Sequence, residues 1–429
     1  MENNNGVKAT SIAFLNQHYY PDVAATAQNL TDLCEHLAAQ GYDVHVYCSR
    51  GHYLSGMMKA PHYEFHNGVH IHRLRATSFG RTSNLGRMID YLSFFLISFI
   101  RLITGKRFDM ICTLTTPPML GLVGTLATLP KATRHIIWSM DLHPDAEIAL
   151  GMMKEKSITA RLLNKLNRYS YRQASMIVSL GPYMTQRLTD EYGVDAGNVS
   201  EIPIWSDKNE IAVMNNGQSR VDVPDHLEDR FIINYNGNMG LVHSFDEICQ
   251  VMKAFKNHPE VGFTFTGDGP RKQELTSFVE QEEIENVAFM PYVDRHELSR
   301  SLAKADVHWF SLRPEFAGMA VPGKCYGYMA SGRPIIFIGP EESDNAGDIQ
   351  AGECGFVCEP GQVEDIIDTV ERLLHEPVLR ETQGHNARSY FEQNADREVS
   401  CRMWDTSLMK LQHGEAIRDV EYYPITSTT

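Results

Sequence analysis

Short apolar runs alternate with helix-length segments as far as Trp205, give way to a polar stretch, and then begin again at Phe231. No other feature constrains the fold as much, because strands separated by helices pair in parallel and are covered by those helices. In the first half the expected strands are Ser11–Leu15, Val44–Tyr47, Met110–Leu114, His135–Trp138 and Met176–Ser179. Helical spacing falls between them, over Ala25–Gln40, Leu85–Thr104, Leu120–Leu129, Thr159–Ala174 and Pro182–Tyr192. In the second half the expected strands are Phe231–Tyr235, Gly262–Thr266, Val287–Met290, Val307–Ser311, Pro334–Ile338 and Gly355–Val357, and helices follow over Arg380–Phe391 and Val399–Leu411. The chain therefore divides into an α/β domain over 1–205, a linker over 206–229 and a second α/β domain over 230–385, followed by helices over 386–413 and a polar tail over 414–429. Open parallel sheets bind ligands beyond the carboxyl ends of their strands. Two such domains facing a cleft would let one hold a donor and the other an acceptor.

With 43% hydrophobic and 22% charged residues over 429, the chain can bury cores of that size. A net charge of −15 argues against sequence-independent nucleic-acid binding, which requires clustered Lys and Arg to displace counterions. The eight cysteines are scattered, and Cys354 with Cys358 lacks the second ligand pair of a zinc site, so they are expected to be reduced and no metal is assigned. The polar start, Met1-Glu-Asn-Asn-Asn-Gly6, lacks the layout of a signal peptide. The longest apolar run, Tyr91–Ile100 continuing to Ile103, falls short of the roughly 20 residues that span a bilayer. A cytoplasmic protein is expected.

Three glycine turns in the second domain point to a nucleotide diphosphate. Asn236-Gly237-Asn238-Met-Gly240 follows its first strand, and Thr266-Gly267-Asp-Gly-Pro270 ends the second, with Arg271 and Lys272 just beyond. The third is the loop from Glu315 through Pro322-Gly323-Lys324, which opens a helix running to Ala330. Glycine lets backbone approach a phosphate closely, and a lysine at a helix start adds charge to free N–H donors. Tyr292 and Val293, after the third strand, offer a wall for a nucleobase. Each also has an ordinary reading: a tight turn, a solvated cation, a surface loop.

In the first domain, Asp141, His143, Asp145 and Glu147 crowd the end of a strand, where packing alone does not call for four ionisable groups. Asp141, His143 and Asp145 are the catalytic candidates, able to orient a hydroxyl, stabilise a cationic transition state or act as a base. Asn16, His18, Tyr19 and Thr26, in the loop from the first strand to the first helix, suit an acceptor. Arg73, Arg75, Arg81, Arg87, Arg101 and Arg107, with Lys106, face the single acid Asp90 across the 73–107 segment. Basic residues around an apolar helix suit peripheral docking on an anionic membrane, here the cytoplasmic face of the inner membrane.

Together these motifs resemble the retaining family 4 glycosyltransferases of GT-B architecture, in particular bacterial enzymes similar to fucosamine transferases of surface polysaccharide synthesis. The carriers are Asn16-Gln-His-Tyr-Tyr-Pro21, Met140-Asp-Leu-His-Pro-Asp145 with Ala149-Leu-Gly151, Ile202-Pro-Ile-Trp205, the three glycine turns, and Tyr328-Met-Ala-Ser-Gly-Arg-Pro334. The resemblance implies transfer of a sugar from a nucleotide diphosphate donor, UDP first among them, to a lipid-linked or oligosaccharide acceptor. It also implies retained configuration, no cofactor or metal, and C-terminal helices crossing back onto the first domain. Many relatives carry Arg and Lys where this chain has Asn238 and His243, and two glutamates where it has Met319 and Gly327, so Lys324, Arg271 and Glu315 would take a larger share of the donor. Asp141 stands at the strand end where the family often has its histidine.

An epimerase or hydrolase of the same fold would have no use for the basic apolar segment. A nicotinamide oxidoreductase needs a glycine fingerprint after the first strand, and Asn16–Thr26 contains no glycine. A non-catalytic relative acting as a partner protein is the remaining alternative, raised by the missing Arg, Lys and Glu positions.

Overall fold

A computed structural model describes residues 9–50, 60–77, 79, 84–131, 133–214 and 223–417. Arg81, the polar residues 215–222 and the tail from 418 lie outside the described residues. The chain forms two units, one from residues up to Ile202 together with those from Cys401 onward, the other from Pro203 to Ser400.

The first unit is built on an eight-stranded sheet. Its strands are β1 (Ser11–Leu15), β2 (Asp43–Ser49), β3 (Tyr63–His66), β4 (Val69–Leu74), β5 (Met110–Thr113), β6 (Arg134–Trp138), β7 (Met176–Ser179) and β8 (Val199–Glu201), in the spatial order β3-β4-β2-β1-β5-β6-β7-β8. All neighbours are parallel except β3 and β4, which form a hairpin across Asn67 and Gly68, both at positive φ. Asn-Gly supplies that conformation at little steric cost. Sequence periodicity does not announce this hairpin, because in Val69-His-Ile-His-Arg-Leu74 the polar alternate positions are histidines, on a strand that lies between β2 and the edge strand β3.

On one sheet face Phe94 and Leu102 of the helix Asn84–Thr104 and Leu120 and Val123 of the helix Leu120–Thr128 pack with the strand residues Ala13, Leu15 and Ile111. The C-terminal helix, Arg397–His413, adds residues from Cys401 onward to this unit: Trp404 meets Trp138 edge-on at 4.8 Å, and Tyr42 Oη donates to Asp405 at 3.0 Å. Burial of aromatic pairs of this kind carries much of a core's energy.

The second unit holds six parallel strands, β9 (Phe231–Asn236), β10 (Val261–Thr266), β11 (Val287–Met290), β12 (Val307–Ser311), β13 (Ile335–Ile338) and β14 (Gly355–Cys358). Their order β11-β10-β9-β12-β13-β14 is that of a Rossmann sheet, with the switch point beside β9. Every residue of β9, β10, β12 and β13 is buried, as expected of a sheet covered on both faces. The eight cysteines are all buried and none forms a disulfide.

Candidate active site

In the second unit, the loop leaving β9 sits at the switch point and is pressed against the loop leaving β10. Gly237 N donates to Thr266 O at 2.9 Å, Met239 N to Asp268 O at 2.8 Å, and Arg271 N to Met239 O at 3.1 Å. A Cβ on Gly267 would stand 2.2 Å from Gly237 O, and one on Gly269 2.5 Å from Met239 O, so these turns need glycine for backbone contact as well as for their positive φ.

Lys324 reaches this double turn from the start of the Lys324–Ala330 helix. Its Nζ donates to Tyr235 Oη, to Asn238 O at 3.2 Å and to His243 Nε2 at 2.8 Å, and lies 4.2 Å from the centre of the Tyr235 ring. His243 Nδ1 donates to Ser311 O, which leaves Nε2 as the acceptor for the ammonium. Burial, reinforced by the Lys324 charge, pushes the His243 pKa well down and keeps the ring neutral. Tyr328 Oη both donates to Asn236 O at 2.9 Å and accepts from Asn236 N at 2.8 Å, fixing the last residue of β9.

Gly237, Asn238, Gly240, Gly267, Arg271 and Lys324 are thus brought together. Arg271 is already engaged, however, by a two-point ion pair with Glu274 at 2.6 and 2.7 Å. Glu315 pairs with Arg313 at 3.4 Å on the surface, and Arg313 N is held by Val242 O at 2.9 Å. Tyr292 is exposed and Val293 partly so, in the loop after β11; Gly267 N donates to Met290 O beside them. Pro322 O accepts from Asn345 Nδ2, and Gly323 lies against Ile204. The helix behind Gly323 has only seven residues, so its dipole is short.

In the first unit, Asn16 is fully buried, donating from Nδ2 to His18 O at 2.7 Å. His18 Nδ1 and Asp22 Oδ2 are 2.7 Å apart and nearly buried, a pair that the sequence does not single out. Tyr19 packs inward, with its phenol pKa raised well above normal by burial, and Thr26 lies in the first turn of the Ala25–Ala39 helix. Asp141 and His143 line one small cavity of about 10 Å³ with Thr115, Asn167 and Tyr171, and Asp141 N donates to Thr115 Oγ1 at 3.2 Å. Asp145 turns elsewhere: Tyr192 Oη donates to it at 3.1 Å and Arg187 lies 3.5 Å away.

A model of the glycosyl transferase 4-like domain matches residues 25–205, and one of glycosyl transferases group 1 matches 221–390. The chain belongs to the family 4-like glycosyltransferases. It is 22% identical to the probable glycosyltransferase WbjE of Pseudomonas aeruginosa over 69% of this chain and 73% of that one. It is 24% identical to the putative colanic acid biosynthesis glycosyl transferase WcaI of Escherichia coli K12 over 90% of this chain and 97% of that one. The structure of Anabaena Alr3699/HepE in complex with UDP superposes with a TM-score of 0.68 at 13% identity, covering 94% of this chain and all of that one, which is a likeness of fold.

In this glycosyltransferase one concavity does not coincide with either set of candidates. It is an open trough of about 670 Å³ on the Ile158–Gln173 helix, lined by Arg161, Lys165, Arg168 and Arg172 at successive helical turns. The basic fringe expected from 73 to 107 also needs a correction: Arg73 is buried and bonded to Glu64 at 2.7 Å and Tyr20 O at 2.8 Å, so it serves the interior and is no part of a surface patch.

His143 Nδ1 lies 2.8 Å from Glu147 Oε1. Burial by itself would lower the His143 pKa, but the hydrogen bond and charge of Glu147, with Asp141 and Asp145, outweigh it and raise the pKa above 6.5. A histidine raised in the folded state contributes stability that is complete below its unfolded pKa and is lost as pH rises through the folded one. An NMR titration is therefore expected to place His143 above 6.5 in the native protein and below it in Glu147→Gln, where burial acts with less opposition. An unchanged midpoint in the variant would show that Glu147 does not set the charge.

Proposed function

We propose that this glycosyltransferase moves a sugar, an N-acetylated hexose or its deoxy derivative, from a UDP donor to a lipid-linked or glycan acceptor in surface polysaccharide synthesis, with retention at the anomeric carbon. The observation that carries the donor assignment is the convergence of Lys324 with two interlocked glycine turns at the switch point of the second sheet. A cation beside backbone that only glycine can form suits a diphosphate, and stabilising the departing diphosphate is where such a site gains most of its rate. Lys324 thus supplies the positive charge, and the proposed chemistry needs no metal. UDP is named for a fold-level neighbour and colanic acid biosynthesis for a relative, and both support the reading.

The test is a thermal-shift panel of UDP, GDP, TDP and ADP. A ligand bound only by the folded state stabilises it by about 2.7 kcal/mol at one hundred times its Kd. A shift with UDP alone is expected, and the absence of a shift with all four would remove the donor site.

Peripheral docking on an anionic membrane is part of the same proposal. No helix among the described residues is long and apolar enough to cross a membrane. The Asn84–Thr104 helix nevertheless leaves Leu85, Met88, Leu92, Leu96 and Ile100 exposed along one stripe, while Phe94 and Leu102 face the core. The basic trough lies on the Ile158–Gln173 helix, and the Leu120–Thr128 helix packs against both of these helices. Apolar contact together with cations is the combination that holds interfacial helices. Leu92→Glu with Leu96→Glu is expected to abolish co-sedimentation with phosphatidylglycerol vesicles while leaving UDP binding intact; undiminished sedimentation would rule out this face.

A further inference from the structure

In β2 and β4 the sequences Asp43-Val-His45-Val-Tyr47 and His70-Ile-His72 alternate aliphatic residues with residues bearing oxygen, nitrogen or aromatic rings. Alternate residues of a strand share a face, and the parallel register sets His45 against His70 and Tyr47 against His72. The imidazoles therefore gather on one side: His45 stacks on His70 at 4.5 Å and on His72 at 5.2 Å. Asp43 Oδ1 lies 3.0 Å from His45 Nε2 and 3.9 Å from His70 Nε2. Lys106 enters the same spot, with Nζ 3.1 Å from His45 Nε2 and bonded to Asp43 Oδ2.

We propose that Asp43, His45 and His70 form a binding site for one divalent transition-metal ion, and that the Lys106 ammonium competes for it. The three ligand atoms already lie within 4.8 Å of one another, and two imidazole nitrogens with one carboxylate oxygen are the donor set that zinc, cobalt and nickel favour. The outer nitrogens are provided for as well. His70 Nδ1 is 2.8 Å from Tyr63 Oη, and His45 Nδ1 is 2.9 Å from His72 Nε2, so each ring can place its proton on the far side and turn its Nε2 lone pair toward Asp43. An ammonium satisfies such lone pairs at hydrogen-bond distance, whereas a metal draws them to about 2.0–2.2 Å. The Lys106 side chain is 44% exposed and can leave toward solvent.

This site stands apart from sugar transfer. Asp43 N is bonded to Thr10 O at the start of β1, whereas Ser49 N at the other end of β2 is bonded to Gln17 O in the candidate acceptor loop. Six residue steps of strand, about 20 Å, separate the two ends. A metal here would tie the β3–β4 hairpin to β2.

The experiment uses tag-free full-length protein stripped with a chelator, titrated with Zn²⁺ by calorimetry and with Co²⁺ by visible absorption. One equivalent of zinc is expected, together with a rise in Tm and a cobalt spectrum without thiolate charge-transfer bands. Zinc affinity is expected to fall at least about tenfold in His70→Ala and about tenfold in Tyr63→Phe, a surface phenol whose loss leaves the fold intact. Lys106→Met should tighten binding. The proposal is overturned by absence of binding in the native protein, by thiolate bands, or by an affinity that neither His70→Ala weakens nor Lys106→Met strengthens.

Discussion

Lys324→Ala is expected to lower kcat/KM for sugar transfer by about 100- to 1,000-fold, the scale seen when one preorganised group facing developing charge is removed. The ammonium stands over Tyr235, contacts the turn at Asn238 O and has a neutral acceptor in His243 Nε2, so it is fixed in place before a donor arrives. Little of the fold depends on it: it ties a helix start to Tyr235 of β9 and to the loop at Asn238 and His243, and β9 is also anchored by Tyr328. The midpoint of thermal unfolding should therefore move by no more than a few degrees, as expected for about 1 kcal/mol in a chain of this size. Burial pushes the Lys324 pKa well below its usual value. A diphosphate beside the amine raises it again, so UDP binding should take up protons at pH values between the free and the bound pKa, read as a calorimetric enthalpy that depends on the buffer. The uptake should vanish in Lys324→Ala. Native affinity for UDP in the variant would end the case for this phosphate seat.

The six strands of the second sheet and five of the eight in the first could be read from the chain, because parallel strands buried on both faces leave continuous apolar runs, as in Phe231–Asn236 and Ile335–Ile338. The β3–β4 hairpin was hidden by its own composition. Tyr63-Glu-Phe-His66 and Val69-His-Ile-His-Arg-Leu74 carry histidines where a half-exposed strand usually shows plainly polar residues, and only Asn67-Gly68 marked the turn. In the donor half, glycine spacing gave away the turns and Lys324, since a positive φ and a close backbone approach have a sequence signature. The partners of Lys324 have none: Tyr235 looks like any buried strand aromatic, and His243 departs from the family pattern without any sign in the sequence that its ring accepts from the ammonium. Asp145 illustrates the reverse. Three residues of one short motif look equivalent in sequence, but a local helix over Asp145–Ala149 turns this carboxylate toward Tyr192 and Arg187 and away from the cavity that Asp141 and His143 share.

Asp141→Asn is expected to lower kcat by about 100- to 10,000-fold, the range spanned by loss of a positioned acid, base or charge, and to raise the thermal stability of the protein at the same time. Asparagine keeps the size of the side chain and the backbone bond to Thr115, so the cavity should survive. What is lost is a carboxylate that burial holds above its usual pKa of 3.8, with His143 opposing the shift and Glu147 adding to it. A carboxyl whose folded pKa is raised costs nothing below the unfolded value, and its cost is complete once pH exceeds the folded one. The gain in Tm on substitution should accordingly be larger at pH 7 than at pH 4. Residues kept for chemistry often carry such a stability cost. Asp145→Asn should behave in the opposite way, losing stability through Tyr192 and Arg187 while retaining most of its turnover. UDP-induced thermal shifts should be native in both variants, since neither residue belongs to the donor unit. If Asp141→Asn turned over at the native rate, or lost stability instead of gaining it, Asp141 would be a structural carboxylate and the catalytic role would pass to His143.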